Sequence, residues 1–244
     1  MLAADVSGDG VKDLIATESG GGKVDVFVNV GNGTFGAAVP FTVPSPWNVV
    51  ASDLNGDTKL DLVVGTSGNN VYVLLNNGTN TLFGAPTPYA TDLPDAAVTS
   101  GAYATVVGDY NGDNAREVAV AKCAGTNALA FLPTASNGTL GAATAVTVIA
   151  GSVCLYDIAQ GLLDPDGIPD LVMGGHAVYV RSSSLLDGGS EASIAAYVPD
   201  PGDAGASTVK TIAVGDLNED GVQDLAAVVD GRPFVYILFG VKKQ

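Results

Sequence analysis

Apolar residues in this chain come in short runs separated by turns, and no stretch shows the 3.6-residue spacing of an amphipathic helix. Runs such as Trp47-Asn-Val-Val-Ala-Ser, Tyr103-Ala-Thr-Val-Val-Gly and Lys210-Thr-Ile-Ala-Val-Gly have strand length. Others alternate, as in Val24-Asp-Val-Phe-Val, Val71-Tyr-Val-Leu-Leu and Phe234-Val-Tyr-Ile-Leu, which is the pattern of a half-buried strand. Asn32-Gly33-Thr34, Asn77-Gly78-Thr79 and Asn137-Gly138-Thr139 then mark turns of the kind that tight hairpins favour. The pattern predicts an all-β chain of strands joined by close turns.

The runs are phased by a repeated phrase. It reads Asp5-Val-Ser7-Gly-Asp9-Gly-Val11-Lys-Asp13, Asp53-Leu-Asn55-Gly-Asp57-Thr-Lys59-Leu-Asp61, Asp109-Tyr-Asn111-Gly-Asp113-Asn-Ala115-Arg-Glu117, Leu162-Leu-Asp164-Pro-Asp166-Gly-Ile168-Pro-Asp170, and Asp216-Leu-Asn218-Glu-Asp220-Gly-Val222-Gln-Asp224. The phrases start 48, 56, 53 and 54 residues apart. That is the length of a four-stranded propeller blade and too long for a β-helix coil. An apolar run precedes each phrase, a second follows it, the alternating strand comes third, and a fourth opens after the turn.

These residues resemble a known family. The Asp-rich phrases, with Phe35-Gly36-Ala37, Phe83-Gly84-Ala85-Pro86 and Leu140-Gly141-Ala142, are similar to FG-GAP (VCBS-type) repeats, the blades of integrin α-subunit β-propellers. The resemblance implies a single β-propeller domain, 1–244, with five four-stranded antiparallel blades at about 1–46, 47–102, 103–152, 153–208 and 209–244. It also implies a calcium loop between the first and second strands of each blade. Integrin propellers have seven such repeats, and this chain has five. The fifth repeat ends after its third strand, so the last blade is expected to be three-stranded, or the chain to be a piece of a longer propeller.

The phrase has its own chemistry. Positions 1, 3, 5 and 9 carry oxygen-bearing side chains and position 7 offers a carbonyl, a set that suits one hard, irregularly coordinated cation such as Ca²⁺. Gly10, Gly167 and Gly221 at position 6 allow the sharp turn. An EF-hand would need Glu at position 12, where this chain has Ala16, Val64, Val120, Met173 and Ala227. The expected ligands are Asp5, Ser7, Asp9, Val11 and Asp13; Asp53, Asn55, Asp57, Lys59 and Asp61; Asp109, Asn111, Asp113, Ala115 and Glu117; Asp164, Asp166, Ile168 and Asp170; and Asp216, Asn218, Asp220, Val222 and Asp224. The position-7 residues contribute only their carbonyls. Up to five ions are expected, with the fourth loop weakest because Leu162 stands at position 1.

Charge agrees with this reading. There are 26 acidic and 10 basic residues, a formal net charge of −16, and fifteen of the acids lie at ligand positions. Such a chain is a poor partner for nucleic acid or anionic membrane. No basic, apolar leader or membrane-length apolar helix is expected. One histidine, His176, and two cysteines leave little for zinc or His-based catalysis. On the blade topology that the resemblance implies, Cys123 and Cys154 fall on neighbouring blades at the edge away from the loops, as a disulfide or as two buried thiols. Trp47, Tyr103, Tyr156 and Lys210, each six residues before a phrase begins, would ring the central channel there. Asn48 and Asp157 lie beside them. These rings would form a ligand platform or pack between blades. Turn chemistry accounts for the three Asn-Gly-Thr sequences without glycosylation. The expected function is a secreted, non-enzymatic binding or adhesion module for a protein or glycan. The alternatives are a secreted propeller lyase or hydrolase, and a spacer in a larger surface protein.

Overall fold

The structure, a computed structural model, describes residues 1–79, 82–91, 102–123, 129–146, 154–163, 167–181, 195–197, 208–233 and 235–240; the side chains of 102, 103 and 195–197 are not among them. All regular elements in these residues are strands. Sheet 1 contains β1 (Leu2–Ala4), β2 (Asp13–Glu18), β3 (Lys23–Phe27) and β4 (Val39–Thr42). Sheet 2 contains β5 (Pro46–Ser52), β6 (Asp61–Thr66), β7 (Asn70–Leu74) and β8 (Thr87–Ala90). Sheet 3 contains β9 (Ala102–Gly108), β10 (Glu117–Lys122), β11 (Leu129–Pro133) and β12 (Thr144–Val146). Sheet 4 contains β13 (Asp157–Gly161), β14 (Asp170–Gly174), β15 (Val178–Arg181) and β16 (Ala195–Tyr197). Sheet 5 has β17 (Val209–Gly215), β18 (Asp224–Val229) and β19 (Val235–Leu238).

Each sheet is an antiparallel meander in chain order, with four strands in sheets 1 to 4 and three in sheet 5. Every second strand opens on the last residue of an Asp phrase, so the phrases form the loops between first and second strands at one edge. The side chains alternate between the two faces of each sheet, and consecutive sheets bury their facing sets. Ile15, Val24 and Val26 of sheet 1 pack with Leu62, Val64 and Leu74 of sheet 2. Val63, Val71 and Val73 pack with Val118, Val120 and Leu132. Ala119, Ala121 and Phe131 meet Leu171, Met173 and Tyr179, and Val172 and Val178 meet Leu225, Ala227 and Val229. The first strands of sheets 2 to 5 are neighbours, β5 to β9 to β13 to β17. Asn48 Nδ2 donates to Thr105 O at 3.3 Å, and Thr105 Oγ1 donates to Asn48 Oδ1 at 3.2 Å, between the first two of them.

The three Asn-Gly-Thr turns differ. Asn32 and Gly33 both take positive φ (54° and 73°), the tight two-residue turn the sequence suggested. Asn77 and Asn137 do not, and only the following Gly78 and Gly138 turn left-handed. Their Oδ1 atoms instead accept both the N–H and the hydroxyl of Thr79 and Thr139. Local side-chain bonding sets these two loops, rather than the Asn backbone.

Cys123 and Cys154 are disulfide-bonded, joining the end of β10 to the residues before β13 and so sheet 3 to sheet 4. At a sequence separation of 31, replacing either by Ser is expected to cost about 3–4 kcal/mol in the chain-entropy account. Urea denaturation of Cys123→Ser under non-reducing conditions checks this, and an unchanged midpoint would show that the link is energetically idle.

Candidate metal centre

The first, second, third and fifth Asp phrases fold into loops of one design, and the described residues of the fourth follow it at positions 6 and 9. Position 6 is left-handed in all of them: Gly10 (88°), Thr58 (70°), Asn114 (66°), Gly167 (82°) and Gly221 (81°). Thr58 is β-branched and adopts this conformation at a cost that glycine avoids. Position 4 is also left-handed at Gly8, Gly56, Gly112 and Glu219. Two such residues so close together curl the chain and turn its N–H groups inward.

The position-1 carboxylate sits in that curl. Asp5 accepts from the N–H of Gly8 (2.7 Å), Asp9 (3.1 Å) and Gly10 (2.8 Å). Asp53 accepts from Gly56 and Thr58, Asp109 from Gly112 and Asn114, and Asp216 from Asp220 and Gly221. Position 3 accepts the N–H of position 5 at Asn55, Asn111 and Asn218. Position 5 accepts the N–H of position 7 at Asp9, Asp57, Asp113 and Asp220. Ser7 differs: its hydroxyl oxygen is buried and has no hydrogen-bond partner. Asp164 and Asp166 lie outside the described residues, while Leu162 at position 1 of that loop is half exposed.

Position 9 has a job the sequence did not announce. Asp13, Asp61, Glu117, Asp170 and Asp224 are all buried. Each accepts the backbone N–H of position 2: Val6, Leu54, Tyr110, Leu163 and Leu217, all at 2.8–2.9 Å. In three sheets the second oxygen accepts an N–H from beyond the third strand, from Asn29 (2.9 Å), Asn76 (2.7 Å) and Gly240 (2.8 Å). One carboxylate thus ties loop, second strand and third-strand exit together. Glu117, a methylene longer, spends its second oxygen on Asn111 Nδ2 at 3.2 Å. Thr134 N in that sheet bonds to Arg116 O instead, and the Thr134 hydroxyl is left buried without a partner. The only sequence signal for this role was that position 9 is the first residue of an apolar run.

Burial raises the carboxyl of Asp61 above the usual range, opposed by the N–H groups of Asn76 and Leu54 and reinforced by Asp57 and Asp53. Glu117 is raised in the same way, by burial and then by Asp113 and Asp109. Asp57 is lowered, chiefly by Lys59, whose Nζ lies 2.9 Å from it. Among the described residues no three acidic side chains converge at coordinating distance, because each is turned onto backbone N–H groups. Every expected donor is nevertheless an oxygen, and the Ser7 hydroxyl is an oxygen without a partner. That donor set suits Ca²⁺.

Neighbouring loops adjoin. Asp5, Ser7 and Gly8 face Thr58, Lys59 and Gly78 across a groove of about 660 Å³, and loops 2 and 3 enclose a similar one of about 410 Å³. Asn76 Nδ2 donates to Val6 O at 2.8 Å, linking sheet 2 to the first loop.

At the opposite edge the aromatic residues are not equivalent. Trp47 is 56 % exposed on β5. Tyr156 carries the Lys210 ammonium over its ring at 4.1 Å, and Lys210 also reaches Asp230 at 3.6 Å. Asp157 accepts from the Thr211 hydroxyl and the Ile212 N–H. Tyr156, Asp157 and Lys210 therefore hold sheets 4 and 5 together. Tyr103 lies on β9, with its side chain outside the described residues. His176 is exposed in the bend after β14.

The family described as FG-GAP-like repeat matches residues 5–64 and 53–120. Among solved structures, the V. cholerae biofilm matrix protein Bap1 is 17% identical, with 74% of this chain and 26% of that one covered at a TM-score of 0.43. BBS1N, crystallised in complex with ARL6DN and soaked with lead, is 17% identical, with coverages of 75% and 52% and a TM-score of 0.45. The chain thus spans about a quarter and about half of those two proteins. No curated protein matches the chain.

Proposed function

The chain carries FG-GAP-like repeats, and from that premise we propose that it is a calcium-stabilised, extracellular binding or adhesion module, its blades set side by side in propeller fashion. The observation that carries this reading is the loop itself, set at one edge with a left-handed position 6 in every phrase and with oxygen-bearing side chains at positions 1, 3, 5 and 9 in the first, second, third and fifth. Calcium would be held by side-chain oxygens at positions 1, 3, 5 and 9 and the carbonyl of position 7. Its chemistry there is structural: it neutralises crowded carboxylates and locks the turn between two strands. Asp9 and Asp220 would turn an oxygen from backbone to metal, and Ser7 would supply its unpartnered hydroxyl. Titration calorimetry with Ca²⁺ tests this, with several sites expected and the fourth loop weakest. No heat of binding on adding Ca²⁺ to chelator-stripped protein would overturn it.

The ligand would be a protein or glycan, taken at the edge away from the loops, where Trp47 presents its ring to solvent. Aromatic faces beside hydrogen-bonding groups suit sugars and flat side chains. A glycan array and a protein pull-down are the screens. Trp47→Ala is expected to shift stability by less than about 0.5–1 kcal/mol, since over half of the residue is already exposed, yet to abolish capture of the ligand found. A variant that loses stability and keeps its affinity would return Trp47 to a packing role.

A further inference from the structure

Five asparagines in this chain are followed by glycine: Asn32, Asn55, Asn77, Asn111 and Asn137. All five pairs lie among the described residues. Such a pair has a chemistry of its own. Glycine has no Cβ to shield its nitrogen or restrict its backbone, so its deprotonated amide can attack the side-chain carbonyl carbon of the asparagine before it. As dipeptides the five are equal. In the fold they are not.

In four pairs the attacking nitrogen is held. Gly56 N donates to Asp53 Oδ1 at 2.8 Å, and Gly112 N to Asp109 Oδ1 at 2.7 Å. Gly78 N donates to Asn76 Oδ1 at 3.0 Å, and Gly138 N to Ala135 O at 2.8 Å. The asparagines of these pairs are held as well. Asn55 and Asn111 accept the N–H of Asp57 and Asp113, both at 2.9 Å. Asn77 and Asn137 accept the N–H and the hydroxyl of Thr79 and Thr139. Each carboxamide must release its partner, and each glycine N–H its acceptor, before the two can meet.

The fifth pair carries no such restraint. Asn32 and Gly33 are the central residues of a turn closed by Thr34 N donating to Gly31 O at 3.0 Å, and both are exposed. The other bonds of the turn run from the Thr34 hydroxyl to Gly31 O and from Val30 N to Thr34 O, so they pass the pair by. Among the described residues, neither the Asn32 carboxamide nor the Gly33 N–H has a hydrogen-bond partner.

We propose that Asn32 is the site at which the folded chain deamidates. Gly33 N loses its proton to hydroxide and bonds to Asn32 Cγ. The Cγ–Nδ2 bond breaks, and the nitrogen leaves as ammonia with a proton from water, which regenerates the hydroxide. Water then opens the resulting five-membered imide at either carbonyl. Opening at Cγ gives aspartate in the original chain. Opening at the main-chain carbonyl gives isoaspartate, whose side-chain methylene becomes part of the main chain and lengthens the turn between β3 and β4. Either product has a carboxylate in place of an amide, and nothing is oxidised or reduced. The reaction needs neither calcium nor a ligand at Trp47, so it stands or falls apart from the proposed function. Asn77 and Asn137 are not among the expected calcium ligands, which makes them the comparison that metal leaves untouched.

Peptide mapping by tandem mass spectrometry tests this, on the folded chain aged in calcium buffer at mildly alkaline pH and below its melting temperature. Asn32 is expected to convert first, roughly tenfold or more ahead of Asn77 and Asn137, since each of those must first give up hydrogen bonds that are worth about that factor. The rate should rise with pH, because the attacking species is the deprotonated amide. The product should separate on anion exchange as a form one charge more negative. Asn32→Gly, which a tight hairpin turn accommodates, should fold as the parent does and give no early acidic form. In urea the five rates should draw together, because only the dipeptides then remain. No conversion at Asn32, a lead by any other pair in the folded chain, or an Asn32 lead that persists unchanged in urea would each overturn the proposal.

Discussion

Replacing Asp61 by Leu is expected to cost about 3–6 kcal/mol of folding free energy, far more than replacing the exposed Asp57 of the same loop. The carboxylate is fully buried and accepts the N–H of Leu54 at 2.9 Å and of Asn76 at 2.7 Å. Hydrogen bonds to a charged acceptor contribute about 1.5–3 kcal/mol each, and here two are lost together. Leu is close in volume and leaves no cavity, so the orphaned N–H groups set the size of the effect. Burial already holds the Asp61 carboxyl above its usual range, so a part of the native free energy goes into keeping it there. Even so, removing the charge does not relieve the site, because the two donors remain in the interior and neither can reach water. Urea denaturation in chelator isolates this from any metal effect. Asp57→Leu is the companion measurement: that carboxylate is exposed and its loss should cost far less. If the two variants are equally stable in chelator, the tie between loop and third strand is not what holds this edge.

The contrast between Asp57 and Asp61 shows where sequence reading reaches its limit. Both are aspartates in one phrase, both were read as ligands, and nothing in their spacing separates them. Only the fold puts one in solvent and the other beneath the strand exits. Strand order and sheet count were legible because each phrase sets the phase of an apolar run before it and an alternating run after it, as at Val49-Val50 and Val71-Tyr72-Val73. The left-handed position 6 was legible at Gly10 and Gly221. It was not at Thr58, where the loop's own N–H to carboxylate bonds impose the conformation on an unsuited residue. Contacts between sheets were out of reach. The Lys210 ammonium over Tyr156 and the Asn76 amide on Val6 O join residues 54 and 70 positions apart, and no local pattern foretells them. For the same reason the row of pre-phrase residues looked uniform in sequence, while the fold uses Tyr156 for packing and turns Trp47 to solvent.

Chelation is expected to lower the melting temperature markedly, and the fifth loop is where the cause can be isolated. A ligand bound only by the folded chain stabilises it by about 2.7 kcal/mol per site at a hundredfold excess over its dissociation constant. Several filled loops together would therefore exceed any single hydrogen-bond tie. Loop 2 is a poor place to measure this, because Lys59 lies 2.9 Å from Asp57 and already offsets part of its charge. Loop 5 has Val222 at that position, so Asp216 and Asp220 have no such cation on position 7. Asp220→Ala should then lower the melting temperature in saturating Ca²⁺ and change it little in excess chelator, where the residue accepts only exposed bonds from Val222 N and Asn218 Nδ2 and repels Asp216. Asp164→Ala, in the loop with Leu162 at position 1, should have a smaller effect under both conditions. Differential scanning calorimetry of the parent, Asp220→Ala and Asp164→Ala, each with calcium and with chelator, gives six curves to compare. A parent curve unmoved by chelator, or an Asp220→Ala deficit of equal size in both buffers, would mean that the loops stand on their backbone hydrogen bonds alone.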